Sequence, residues 1–129
     1  MLDTETTVYV HEFEARWEYD FDADISWLDQ TDEEMGEGFE EHAERRKATY
    51  GDDWFMVGLV VEATLRVGRR PGWSQEFKIN SSLWGIESDA DALYFRTLLG
   101  ELCDELSTDL DALGVAERPV TDDLALALP

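Results

Sequence analysis

Two histidines, one cysteine and 31 carboxylates are the groups of this 129-residue chain that could act as acids, bases, nucleophiles or metal ligands. His11 falls on the apolar side of an alternating stretch, where a lone imidazole reads as a packed or hydrogen-bonded core residue. His42 sits among acids on a solvated helical stretch. Cys103 follows Leu102 at the spacing of an apolar stripe and reads as a small buried hydrophobe. A single cysteine excludes an internal disulfide and a cysteine-based zinc site, and it fits a reducing, cytoplasmic setting. No Ser/His/Asp or Cys/His grouping is legible, and no glycine-rich loop is present to cradle a phosphate. Carboxylate pairs are so numerous that none stands out as acid and base. The expectation is a protein without catalytic residues or cofactor.

Metal binding has one candidate. Asp20, Asp22 and Asp24 have the first three ligand spacings of a calcium loop. The pattern then fails, with Ile25 where the sharp turn needs glycine and Thr31 where a bidentate glutamate belongs. A strand end with acids facing water is the simpler reading, and no metal site is expected.

What remains is the charge itself. The net charge is -21, unevenly spread: residues 1–44 hold 16 acids and one base, residues 45–83 seven bases and four acids, and residues 84–129 11 acids and two bases. Such a field repels nucleic acid and membranes and steers basic proteins toward it. Arg45, Arg46, Lys47, Arg66, Arg69, Arg70 and Lys78 form the only positive stretch. Direct nucleic-acid binding needs several unopposed cations, so these bases are expected to pair with the acidic flanks instead.

Two rows of acids have a regular spacing. Glu12, Glu14, Glu18 and Asp20 share one face of the first strand, at about 6.6 Å per two residues, with Asp22 and Asp24 following. Glu101, Asp104, Glu105 and Asp111 share the outer face of the last helix over about 15 Å. Carboxylates so arrayed can stand in for phosphates in a groove lined by Lys and Arg. The expected partner is a basic nucleic-acid-binding protein or nuclease complex. A second reading stays open: an accessory or structural protein whose acidity serves solubility or adaptation to salt. Two lysines against eight arginines fit that reading or a GC-rich genome.

The elements that must position these rows can be read from periodicity. Residues 6–21 alternate, with Tyr9, His11, Phe13, Ala15, Trp17, Tyr19 and Phe21 on one side and the acids on the other, which predicts a half-buried strand. Residues 25–28 predict a short turn that buries Trp27 and Leu28. Thr31 and Glu34 make a capping box, and a weak helix follows to about Tyr50, with Gly36 and Gly38 loosening its first turns and Met35, Phe39, His42 or Ala43, and Arg46 on one face. Residues 55–67 alternate, residues 68–72 read as a turn and residues 73–83 as the returning strand of a hairpin. The segment 88–91 can cap a helix whose stripe runs through Phe95, Leu99 or Leu98, Leu102, Leu106, Leu110 and Leu113 to a stop at Gly114. The predicted fold is α+β: a small antiparallel sheet of about three strands, a long C-terminal amphipathic helix on one face and a weaker helix after the first strand. Residues 1–114 read as one domain. Residues 115–129 read as a mobile tail without a packing partner, and Leu124, Leu126 and Leu128 leave monomer and homodimer both open. The first residues carry neither a basic region nor an apolar run, so no signal peptide is expected, and the longest apolar stretch, 54–61, is too short to span a bilayer.

Three stretches carry a resemblance: Asp24-Ile-Ser-Trp-Leu-Asp-Gln30, Gly51-Asp-Asp-Trp-Phe-Met-Val-Gly58 and Ser82-Leu-Trp-Gly-Ile-Glu-Ser-Asp89. In this order, over residues 6–113, the chain resembles an uncharacterised family of small proteins found in phages and other mobile elements. The resemblance carries no catalytic residue. It implies a mobile-element accessory protein in a prokaryotic host cell, a setting in which small acidic proteins resemble anti-CRISPR and anti-restriction inhibitors.

Overall fold

The computed structural model describes residues 7–69, 73–124 and 126, without the side chains of Thr7, Arg69, Trp73 and Ser74. Three strands, β1 (Thr7–Tyr19), β2 (Met56–Arg69) and β3 (Trp73–Glu87), form one antiparallel sheet in the order β1-β2-β3. The hairpin and its alternation are as expected, and β3 runs four residues beyond its predicted end at Leu83. Arg70, Pro71 and Gly72 of the predicted turn lie outside the described residues, as does Leu128.

One face of the sheet is apolar. Val57, Leu59, Val61, Ala63 and Leu65 of β2 are buried on it, against a long helix, α3 (Ala92–Ala112). Asp91 caps α3 by accepting from the Tyr94 N–H at 2.9 Å. The predicted stripe is buried from Phe95 through Leu110, with Leu98 and Leu99 both inside. It ends one residue early, because Leu113 is exposed and Val115 takes its place. Gly114, at φ 75, reverses the chain. Its N–H reaches the Asp111 carbonyl at 2.9 Å and the Val115 N–H the Leu110 carbonyl at 2.9 Å. This two-bond cap needs a left-handed residue and closes on an apolar contact between its flanks.

The stretch beyond Gly114 is not without partners. Val115 and Pro119 are buried, and Leu124 and Leu126 pack against the main core. Apolar residues in irregular chain have no period, so their docking left no trace in the pattern.

The first strand departs from simple alternation. A β-bulge falls between Val10 and Glu12, so Val10 pairs with Leu65 and Glu12 with Thr64. Upstream of it the faces are reversed: Val10 packs on the core, whereas Tyr9 and His11 are exposed on the polar face. The expectation of a core His11 is thus corrected. Its Nε2 lies 3.1 Å from an Arg66 guanidinium nitrogen, which can only donate.

Between β1 and β2, the capping box forms as predicted, with the Glu34 N–H on the Thr31 hydroxyl at 3.3 Å. The helix it starts is a single turn, α1 (Asp32–Met35); Gly36 and Gly38, both at positive φ, break it from α2 (Phe39–Thr49). A 3₁₀ turn (Ser26–Asp29), α2 and the start of β2 bury a second, smaller core of Leu28, Ala43, Trp54 and Met56. Trp27 is only half-buried beside it, and Met35 is exposed.

Candidate partner-binding surface

The polar face of the sheet carries the strand row. Glu12, Glu14 and Glu18 are exposed on it, opposite Thr64, Glu62 and Gly58. The row is not a bare array of charge. Arg16, within the row, reaches Glu14 at 3.0 Å, Glu18 at 3.0 Å and Glu62 at 3.3 Å. Glu62 is the deepest of these acids, its side chain only 8% exposed, and it also meets Lys78 at 3.5 Å. Arg66 closes the next rung with Glu76 at 3.3 Å. The bond to Glu18, ahead of the cost of burial, lifts the Arg16 guanidinium above its ordinary pKa. Cross-strand pairing thus neutralises much of the row.

Beyond Glu18 the acids turn to the backbone. Asp20 accepts from the Gly85 N–H at 2.9 Å and from the Asp22 N–H at 3.2 Å, so it pins the end of β1 to β3. Asp24 accepts from the Ser26 N–H at 2.8 Å at the start of the 3₁₀ turn, and hydrogen bonding by Ser26, side chain first, holds its carboxyl below the usual range. Asp22 is exposed. Among the described residues, no group of three His, Cys, Asp or Glu side chains is arranged to hold a metal ion.

The outer face of α3 is different in kind. Glu101, Asp104, Glu105 and Asp111 are all exposed there, opposite the buried leucines. Asp111 pairs with Arg118. Glu101, Asp104 and Glu105 have no cation within ion-pair distance among the described residues. Neither has Asp109, exposed one turn beyond Glu105. Sequence reasoning left Asp109 out, although its spacing of four from Glu105 was the signal that places it on the flank of the same row. Four charges from Glu101 to Asp109 span about 12 Å of helix, one per ~3–4 Å. A single strand of B-form DNA carries one per ~3.4 Å.

This row works against its own helix. Like charges at i,i+4, here Glu101 with Glu105 and Glu105 with Asp109, each cost about 0.2–0.5 kcal/mol. Asp109 also lies in the last turn, where the helix dipole disfavours anions, and that turn carries no base. A cation in the last turn would have favoured folding.

The other chemistry-bearing groups are held in structural roles. Arg46, on α2, grips Glu87 and Asp89 at the end of β3, the latter at 2.7 Å, with its guanidinium 3.8 Å above the Trp54 ring. Trp54 donates its indole N–H to the Arg46 carbonyl at 2.7 Å. His42 and Tyr94 share a polar cleft of about 470 Å³ with this cluster, but the guanidinium's charge is already matched by two carboxylates. Ser88 of the same motif accepts from the Phe55 N–H at 3.0 Å. Cys103 is buried, and burial pushes its thiol pKa up, so it stays protonated. Trp84 lies on the polar face over Gly58 and donates to Ser82 at 3.1 Å.

Every basic side chain among the described residues, namely Arg16, Arg45, Arg46, Lys47, Arg66, Lys78, Arg96 and Arg118, lies against a carboxylate. Arg69 and Arg70 of the central basic stretch fall outside what is described. Among the described residues the surplus of acid is therefore not diluted by free cations. No helix among the described residues is long and apolar enough to cross a membrane. Compared against protein-family models, curated proteins and solved structures, the chain matches none of them.

Proposed function

We propose that this protein is a non-enzymatic acidic inhibitor that binds the basic nucleic-acid groove of a host defence complex, of the anti-CRISPR or anti-restriction kind, by imitating nucleic acid. The observation that carries the reading is the row Glu101, Asp104, Glu105 and Asp109, unpaired among the described residues, on a helix whose other face is buried. Its charge density is that of a nucleic-acid strand. It is rigid, so binding avoids the ordering cost of a disordered acidic tail. It also lowers the stability of the helix that bears it, which is expected of a surface kept for a partner rather than for folding. The strand row is the weaker candidate, since Arg16 already occupies it. The resemblance to proteins of phages and other mobile elements supports a prokaryotic, cytoplasmic setting.

The test is the triple reversal Glu101→Lys, Asp104→Lys, Glu105→Lys, at exposed positions where the fold is expected to survive. Wild-type protein immobilised at 0.15 M NaCl is expected to capture nucleic-acid-binding proteins from host extract and to release them to added duplex DNA. The triple variant is expected to capture at least tenfold less. Equal capture by the variant, or capture indifferent to DNA, would remove the α3 row from the mechanism.

A further inference from the structure

At one end of the sheet, where β1 leaves it and β2 enters, aromatic side chains lie in the open. Phe21 is 91% exposed and Tyr19 60% exposed. Their ring centroids are 5.8 Å apart, and Tyr19 lies 5.0 Å from Phe55. These rings and Tyr50 line a cleft of about 480 Å³ whose rim includes Asp20 and Asp52. That volume is within the ~300–1,000 Å³ of ordinary ligand clefts. Nothing in the packing requires Phe21 here: the second core closes on Leu28, Trp54 and Met56 without it. Exposed apolar clusters rimmed by polar groups mark interaction sites.

The walls choose the occupant. Aromatic faces attract a flat, weakly hydrated cation, and arginine stacks on them better than lysine. The rim is acidic, and among the described residues Asp52 has no ion-pair partner. A purely apolar side chain would leave this carboxylate unused, and an anion would be repelled. We infer that the cleft between Tyr19, Phe21, Tyr50 and Phe55 receives an arginine side chain of the basic partner, stacked on the rings with its guanidinium toward Asp52. The inference rests on the proposed basic partner, but it places a selective contact on a different surface from the α3 row. Charge arrays steer and screen partners, whereas a buried arginine–aromatic anchor fixes register.

Titration calorimetry with two defined peptides, nona-arginine and nona-lysine, tests it at 0.5 M NaCl, where diffuse attraction is largely screened. Wild-type protein is expected to prefer nona-arginine by about fivefold or more. That preference should vanish in Tyr19→Ala/Phe21→Ala, whose net charge is unchanged, and fall in Asp52→Asn. Equal affinity of the wild type for both peptides, or a preference that survives the aromatic double variant, overturns the inference. The α3 triple reversal serves as the separate arm. If it weakens both peptides alike while the arginine preference persists, the cleft stands on its own. If it abolishes capture of nucleic-acid-binding proteins while the aromatic variant shows no lost preference, the acidic row stands and the cleft falls.

Discussion

Gly58 has room for a hydrogen and little else. A methyl group built there would lie 2.2 Å from the Trp84 ring, far inside van der Waals contact. The substitution Gly58→Ala must push the indole off the polar face or distort the strand, at a cost of about 1–3 kcal/mol. The same change in a Trp84→Ala background has an opposite sign. With the ring gone, replacing a strand glycine recovers about 0.5–1 kcal/mol of backbone entropy. Urea unfolding of the two single variants and the double variant measures this coupling. An equal loss in both backgrounds would show that the ring is not what excludes the side chain. The pair also explains why Trp84 is neither a core anchor nor a ligand wall: it is a cover plate over backbone. The glycine and the tryptophan were both visible in the sequence. Their contact was not, because it depends on an offset in the β2–β3 ladder between Val57 and Leu59.

At the scale of elements, the Arg46 cluster joins α2 to the turn between β3 and α3. Arg46 is largely enclosed, whereas Glu87 and Asp89 are partly open to water. Removing it in Arg46→Ala leaves two carboxylates facing each other and uncovers Trp54. A fully buried pair would cost about 3–5 kcal/mol; with solvent screening the acids, a loss of about 1.5–3 kcal/mol is expected. The pH dependence has a definite sign. Arg46 holds the Asp89 carboxyl below its usual 3.8. A depressed folded pKa stabilises the fold above the unfolded value and loses that contribution as pH falls through the folded one. The stability advantage of wild type over Asp89→Asn should therefore be constant from neutral pH to about pH 4 and shrink below it. An advantage that grows on acidification would exclude this pairing. The elements themselves were largely legible. Alternation in β2 and β3, leucine spacing in α3 and the Thr31 box need only neighbours in sequence. The bulge in β1, the Arg46 clamp and the docking of Leu124 and Leu126 were not, because each depends on partners far along the chain. The candidate surface divides the same way. The α3 row follows from helical spacing alone, whereas the neutralisation of the strand row by Arg16 and Glu62 needs the register of two strands.

For the whole molecule, the balance is between one sheet–helix core and a net charge of -21. With the described bases already paired, the remaining acids repel one another with no further cation among the described residues to relieve them. Mobile ions must do so. The Debye length falls from about 30 Å at 0.01 M to about 3 Å at 1 M salt. The melting temperature is expected to rise with NaCl, by about 3–5 °C for each kcal/mol of repulsion relieved. Scanning calorimetry from 0.01 to 1 M NaCl checks it, and a falling melting temperature would mean that the ion pairs outweigh the repulsion.

His11 has a meaning of its own at this scale. It is a unit of chain length without a rung in the ladder, since Val10 and Glu12 already oppose successive residues of β2. The strand is therefore two phases of one pattern spliced at a single point. Removing His11 would leave every other side chain of β1 on its present face, whereas a deletion away from the bulge would turn part of the strand inside out. A chain of the same fold that lacks this residue would align to this one only with a gap at position 11. Without that gap, Val8 and Val10 would be set against positions that face water.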